Sequence, residues 1–271
     1  MHEWICSAAG KVSGVLVGIS AALVVIVFSK FGENFISLET ANTINNILIG
    51  ISTGLIGIIV TVLFVQYLFY KQDEAKKRKE EIMTIKRYDK YMETLIRRYS
   101  RFYISVTTRR CNWGKVDFEH PFEHIFSFSD MADMYWPSMY LSEGFLEPSI
   151  ELFYRAEEDL RNYMLRMLEN IDFKYNDPLE KILLEFVTKS VDLDMRGNIL
   201  GALKTKFGNE KATDCISREI ADEKYDWLGK FQRKELNGNT MLPYVTFFYN
   251  IQNQMRLLQK YLNYVKQLDS E

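Results

Sequence analysis

The sequence predicts an all-α membrane protein, in which an N-terminal two-helix transmembrane hairpin precedes a helical cytoplasmic domain. Val12–Ser29 and Ile47–Tyr70 contain no charged residue, and about 20 apolar residues in a helix are enough to cross a bilayer core of ~30 Å. After Tyr70 the apolar residues recur at intervals of three and four, which is typical of an amphipathic helix. No segment shows the alternation of apolar and polar residues that indicates a strand.

The first apolar segment differs from a cleavable signal peptide. Its apolar stretch is long, and the residues that follow Phe28 contain no Ala-x-Ala-like cleavage site. We therefore expect this segment to remain in the protein as the first of two spans.

The distribution of charge predicts that both termini are cytoplasmic. Residues 71–110 contain thirteen Lys and Arg against six Asp and Glu, whereas the loop Phe31–Ala41 contains Glu33 and Glu39 and no basic residue. Positively charged flanks remain on the cytoplasmic side, so only this loop is expected outside. The basic collar directly after the second span is expected to bind anionic lipid, and it consists of Lys71, Lys76, Lys77, Arg78 and Lys79.

The same basic segment could contact nucleic acid, but the lipid interpretation is sufficient, and no direct nucleic-acid partner is expected. The whole chain has a net charge of −2, so the residues beyond this segment are acidic. Its three cysteines form no CxxC pair, which fits a reducing cytoplasm.

Both apolar segments carry stripes of small residues. Residues four apart lie on one face of a helix, and small side chains there allow helices to approach closely in lipid. Either the two spans pack on each other through these stripes, or several hairpins assemble through them into a homo-oligomer. Ser20, Ser52 and Thr53 could line a narrow path, but hydroxyls in helices commonly bond to their own backbone. The stripe residues are Gly10, Gly14, Gly18 and Ala22 in the first span, and Gly50, Gly54 and Gly57 in the second.

The chain is expected to divide into the hairpin 1–70, a basic long helix 71–106 and an acidic helical domain 107–271. The second span is expected to continue as a helix to about Tyr103, either as a rod that transmits motion or as a helix packed into the domain core. Further helices are predicted at Ser129–Leu141, at Pro148–Ile171, from Asp177 to about Val191, at Thr213–Lys230 and at about Leu242–Leu268, with Asp177 as a helix cap.

Residues that could carry chemistry are sparse. His120 and His124 are four residues apart, which suits two metal ligands on one helix face, but no adjacent cysteine or carboxylate completes a set of four. The sequence has no Gly-rich phosphate loop, GxSxG or HExxH motif. We therefore expect neither an enzyme nor a metal or cofactor site.

Aromatic residues concentrate in residues 99–154 and 225–264, and within Phe118–Phe145 they mix with proline and serine without a clear helical period. This region is the best candidate for docking a partner chain. The docking candidates are Phe118, Phe122, Tyr135, Trp136 and Tyr140.

The layout of two spans, a basic collar over Lys71–Lys79 and a helical remainder resembles the small two-span effectors of bacterial anti-phage systems, such as retron-associated transmembrane effectors and abortive-infection membrane proteins. The resemblance covers the whole layout and includes no diagnostic motif. It implies an inner-membrane effector that oligomerises through its hairpin and disrupts membrane integrity when its cytoplasmic domain is released or triggered. It also implies a cytoplasmic regulatory partner, such as a reverse transcriptase–RNA complex. The alternative is a non-toxic membrane-anchored scaffold whose helical domain docks a protein partner.

Overall fold

A computed structural model describes residues 8–29, 38–140 and 146–268, so most of the loop that holds Glu33 lies outside the described residues. Its contacts divide the chain into two compact units, Met1–Lys79 and Glu80–Glu271. In chain order the α-helices are α1 (Ala8–Phe28), α2 (Leu38–Val106), α3 (Ser149–Asn170), α4 (Asp177–Asp192), α5 (Arg196–Gly201), α6 (Ala212–Ala221), α7 (Trp227–Gln232) and α8 (Leu242–Leu268).

The prediction of an all-α protein is confirmed, because helices account for most of the described residues. The two-span hairpin is not confirmed. Among those residues one helix, Glu39–Val106, is long and apolar enough to cross a membrane, and Gly14–Phe28 forms a shorter apolar helix.

The second unit is built around the last part of α2. Ile85, Met92 and Tyr99 follow each other at intervals of seven residues and are fully buried, so one face of this helix lies in the core. The alternative of a long helix packed into the domain core therefore holds for residues after Glu80.

Aromatic rings from four helices meet in this core. The Tyr99 ring centroid of α2 lies 5.1 Å from that of Phe153 in α3 and 6.4 Å from that of Phe186 in α4. The ring centroid of Phe247 in α8 lies 5.4 Å from that of Phe153. Tilted and edge-to-face pairs such as these add to the stabilisation that burial alone gives.

The long helices follow their sequence signals closely. Both α3 and α8 match the predicted ranges, and Pro178 lies in the first turn of α4, where a missing N–H is harmless. The cap of α4 is Asn176 rather than the predicted Asp177. Asn176 is buried, donates from Nδ2 to Glu81 Oε1 at 2.8 Å and accepts from the Tyr264 hydroxyl at 3.0 Å, so tertiary contacts decide this boundary.

The predicted helix Ser129–Leu141 is wrong in type. A 3-10 helix, Phe128–Asp133, begins with a capping box formed by Ser127 and Asp130, and Pro137 forms an isolated antiparallel bridge with Pro148. Pro137 lies within the predicted helix, where it lacks a backbone N–H and restricts the residue before it, so it opposes a continuous α-helix there.

The predicted helix Thr213–Lys230 is interrupted. It forms α6 and α7, which are separated by a turn at residues 222–226. Before α6, the short antiparallel strands β1 (Lys206–Phe207) and β2 (Glu210–Lys211) meet at a turn in which Gly208 has a φ of 62°, a backbone conformation that glycine adopts without strain.

A buried chain of polar side chains crosses the core of the second unit. The Tyr99 hydroxyl donates to Gln254 Oε1 at 2.6 Å, and Gln254 Nε2 donates to Ser190 Oγ at 3.0 Å and to Glu157 Oε1 at 3.3 Å. All four side chains are at least nine-tenths buried. Gln254 therefore links α2, α3, α4 and α8 through one amide.

We expect Gln254→Leu to lower the free energy of unfolding of the second unit by about 3 kcal/mol, because it leaves several buried polar groups without a partner. The measurement is urea unfolding of the full chain in detergent, followed by tryptophan fluorescence. Gln252→Leu is the matched control, since Gln252 lies exposed on the same helix, and we expect a change within about 0.5 kcal/mol. Equal effects of the two variants would show that the buried chain contributes nothing specific.

Candidate functional site

The helices of the first unit contact each other through a pair of serines. Ser20 Oγ and Ser52 Oγ lie 2.9 Å apart, and each hydroxyl also lies 3.3–3.4 Å from the backbone carbonyl of the other residue. Both side chains are buried. The interpretation that these hydroxyls bond to their own helices is therefore wrong for the serine pair, although Thr53 does donate to Ile49 O at 2.8 Å.

The serine pair belongs to a regular contact face, which we call the seam. Seam positions recur at intervals of three and four residues, which is the pattern of two helices packed side by side. This face was not predicted from the sequence, although its pattern of three and four residues is present there. The seam residues are Leu16, Ser20, Leu23 and Val27 in α1, and Ala41, Asn45, Leu48, Ser52, Leu55 and Ile59 in α2.

The small-residue stripes lie away from the seam. Successive residues of an α-helix are rotated by about 100°, so Gly50 and Gly54, two residues before and after Ser52, point to about the opposite side. Ala22 is likewise two residues from Ser20 and is exposed, whereas the surroundings of Gly10 lie outside the described residues. A Cβ atom would meet nothing within 4 Å at Gly14, Gly18, Gly50, Gly54 or Gly57.

The contact between α1 and α2 therefore does not use the glycines whose surroundings are described. The sequence allowed two roles for the stripes, namely packing of the two spans on each other or assembly of several hairpins. At these positions the structure does not use the stripes for packing between α1 and α2. The face of α2 that carries Gly50, Gly54 and Gly57 is open to lipid or to another chain.

The basic collar is fully exposed on α2. The Lys77 ammonium pairs with Asp73 at 2.7 Å, and Lys71 Nζ lies 5.3 Å from the centre of the Tyr67 ring. Exposed ammonium groups next to an apolar segment suit contact with anionic headgroups. The collar comprises Lys71, Lys76, Lys77, Arg78 and Lys79, all exposed.

In the second unit, two of the five docking candidates lie at the surface. Phe118 is 46% exposed and Trp136 is 48% exposed. Phe118 packs edge-on against Tyr140, with ring centres 5.6 Å apart, and the Arg110 guanidinium lies 3.9 Å over the Trp136 ring. Flat cationic and aromatic groups at a surface are the types that dominate protein interfaces.

The other docking candidates have structural roles. The Tyr135 hydroxyl bonds to the Tyr244 hydroxyl at 2.7 Å and donates to a backbone carbonyl at 2.9 Å. Phe122 is half-buried and packs on the core. Ile125 was not among the predicted docking residues, yet its side chain is 94% exposed. Its position in the sequence, between two aromatic residues, does not indicate this exposure.

A polar cavity of about 500 Å³ adjoins the exposed Ile125. Its lining includes His120 and His124 together with the carboxylates of Asp117 and Glu123. The two histidines do not share an α-helical face, because Pro121–Glu123 forms a 3-10 turn between them. The two histidines line one cavity, but they do not lie on one helix face as their spacing suggested.

The two histidines have opposite electrostatic environments. A hydrogen bond to the Asp117 carboxylate, 2.8 Å from Nδ1, raises the pKa of His120. Burial lowers the pKa of His124. The Thr107 hydroxyl donates to Tyr103 O at 2.8 Å, so it accepts from His124 Nε2 at 3.1 Å, and the neutral ring carries its proton on Nε2.

The cavity has no metal site in this geometry. Across residues 8–29, 38–140 and 146–268, no three His, Cys, Asp or Glu side chains are placed to hold a metal ion.

Comparison with known proteins adds no relative. No protein-family model matches the chain, and neither the curated proteins nor the solved structures contain a match.

The seam makes a direct prediction about cross-linking. With the three native cysteines replaced by serine, we expect Ser20→Cys combined with Ser52→Cys to form a disulfide within one chain, because the two Oγ atoms lie 2.9 Å apart. Gly18→Cys combined with Gly54→Cys is the control, and we expect no disulfide within the chain. The measurement is gel mobility after oxidation in membranes. A disulfide within the chain in the control pair alone would contradict the seam.

The histidine environments make a prediction about pH. We expect Asp117→Asn to lower the pKa of His120 towards its ordinary value of 6.5 and to leave that of His124 below this value, because only His120 bonds to Asp117. The measurement is an NMR titration of the ring protons. Glu119→Gln is the control, since Glu119 is the carboxylate next to His120 in sequence and, among the described residues, makes no side-chain hydrogen bond to it. An unchanged pKa of His120 in the Asp117 variant would show that the hydrogen bond between Asp117 and His120 does not form in solution.

Proposed function

We propose that the chain is an inner-membrane effector of anti-phage defence, of the abortive-infection type. In this proposal α1 and the apolar part of α2 form a two-span hairpin with cytoplasmic termini. The hairpin oligomerises and disrupts membrane integrity when the cytoplasmic domain is released or triggered. A cytoplasmic regulatory partner, such as a reverse transcriptase–RNA complex, binds the silent form better and so holds the population there.

The helix lengths support the hairpin. With 21 residues, α1 would be about 31 Å long, which matches the thickness of a bilayer core. In the most apolar window of α2 only 11% of the residues are buried in the structure. A core helix of a soluble protein would instead be mostly buried.

The observation that carries the proposal is the open small-residue face of α2. The seam already joins α1 to α2 on the other side, so close packing at Gly50, Gly54 and Gly57 requires a further helix. In lipid, close approach of backbones replaces the hydrophobic driving force that acts in water. A second copy of the hairpin supplies such a helix.

The alternative function is a non-toxic membrane-anchored scaffold. The exposed Phe118, Ile125 and Trp136 favour it, because a soluble surface with large apolar side chains in one region suits a protein partner. The two functions differ in whether the glycine face of α2 is needed.

We expect the chain alone, induced in a bacterium, to depolarise the inner membrane, and we expect Gly50→Ile combined with Gly54→Ile to reduce depolarisation at least tenfold. Bulky side chains on this face prevent close helix packing, while the segment stays apolar enough to insert. The measurement is the fluorescence of a potential-sensitive dye at matched membrane-inserted protein levels.

Val60→Ile is the matched control, because Val60 is 60% exposed in the same helix but lies off the glycine face. We expect it to depolarise like the unmodified chain. As a second measurement, Gly54→Cys should form a disulfide between chains and Val60→Cys should not. Depolarisation by the glycine variant at the unmodified rate would show that the glycine face is not needed. No depolarisation by the unmodified chain, with its membrane insertion confirmed, would reject the effector and favour the scaffold.

A further inference from the structure

The last part of α2 has an exposed basic face opposite its buried one. Arg87, Lys90, Arg97 and Arg101 are exposed, and their spacing of three, seven and four residues places them on one side of the helix. At 1.5 Å per residue the row is about 21 Å long. We call these four residues the basic row.

The basic row is not neutralised by the rest of the second unit. Within the described part of the chain, the side chains of Arg87, Lys90 and Arg97 make no hydrogen bond, ion pair or ring contact, and the Arg101 guanidinium lies 5.9 Å from the centre of the Tyr140 ring. The nearest carboxylate on the helix, Glu93, lies at the edge of the row without pairing. A neighbouring arginine outside the row, Arg98, is instead satisfied by Asp159 at 2.7 Å.

The composition of the row distinguishes it from the basic collar. The collar holds four lysines and one arginine, whereas the row holds three arginines and one lysine. A guanidinium presents a flat fork of donors that matches phosphate oxygens bidentately, and it is less strongly hydrated than an ammonium group. Lysines are sufficient for attraction to an anionic lipid surface, whereas a row of arginines favours bidentate hydrogen bonds to individual phosphate groups.

An aromatic side chain flanks the row. Tyr91 is 54% exposed, directly after Lys90, and its ring packs edge-on to Tyr163, with centres 5.0 Å apart. Alternation of cations with an exposed ring is the arrangement by which proteins bind single strands, since cations follow the backbone and rings stack on bases.

We propose that the basic row binds the phosphodiester backbone of a single-stranded nucleic acid, with Tyr91 stacked on a base. This differs from the expectation that no nucleic acid is bound directly, which assigned the entire basic segment to lipid. That charge divides into the collar, in the first unit, and the row, on the surface of the folded second unit. The binding does not depend on whether the hairpin depolarises membranes.

The test uses the full chain in nanodiscs of zwitterionic lipid and a fluorescent 20-nucleotide single strand, with affinity measured by anisotropy. With four phosphate contacts, we expect log K to fall with log salt with a slope of about −3. Replacing all four row residues by Gln should weaken binding at least tenfold and bring the slope close to zero. Tyr91→Ala should weaken binding roughly tenfold, and Tyr91→Phe should retain it, because stacking needs only the ring.

The matched control replaces four exposed cations elsewhere in the second unit by Gln, namely Arg166, Lys204, Lys206 and Lys260. We expect its affinity to stay within twofold of the unmodified chain. Equal weakening by this control would overturn the proposal, because binding would then depend on diffuse charge. Binding to anionic vesicles that depends on the row and is stronger than binding to the strand would overturn it as well, because the row would then be a surface that contacts membranes. Failure of the unmodified chain to bind the strand at 50 mM salt would also overturn it.

Discussion

The second unit depends on the burial of polar groups that must find partners. Gln254 satisfies the Tyr99 hydroxyl, Ser190 and Glu157 at once, and each of these lies on a different helix. The Arg196 guanidinium completes the group, 3.4 Å from Glu157 and 2.7 Å from Glu158. Burial nevertheless raises the pKa of Glu157, so desolvation outweighs the attraction of the arginine. Such a group adds little net stability but fixes one arrangement of helices, because displaced helices would leave its members unpaired.

The same constraint explains how the last part of α2 combines two roles. Its inward face carries Tyr99 and the apolar residues that fill the core, so the orientation of this helix in the second unit is fixed. Its outward face must then be the one that carries Arg87, Lys90 and Arg97. A row of like charges without partners costs stability through repulsion, and the core contacts on the opposite face offset that cost. An exposed row of unpaired positive charges on a helix of fixed orientation is suited to bind a polyanionic ligand.

The long helices and their apolar faces could be predicted from the sequence because period and length are local signals, as in α3 and α8. The break between α6 and α7 could not, because residues 222–226 contain no proline or glycine that marks it. For the 3-10 helix at Phe128–Asp133, Pro137 is a local signal against the α-helix predicted there. The histidine pair was found by spacing, but its geometry depends on Thr107, which lies in another element. The seam was present in the sequence as a three-four pattern, yet it was hidden by uniformly apolar neighbours. In an apolar segment, burial cannot be read from hydrophobicity alone.

In the first unit, the serine pair and the glycine face lie on opposite sides of α2. Ser20 and Ser52 satisfy each other at the seam, where an unpaired hydroxyl would be costly in an apolar environment. Hydrogen bonds of this kind between helices in lipid contribute only about 0.6 kcal/mol on average. The contact between α1 and α2 is therefore specific in register without being strongly held. In the proposed assembly, close packing on the glycine face would add dispersion energy between helices, so a further helix there would compete with the seam or reorient it. Assembly rather than folding would then control the proposed activity.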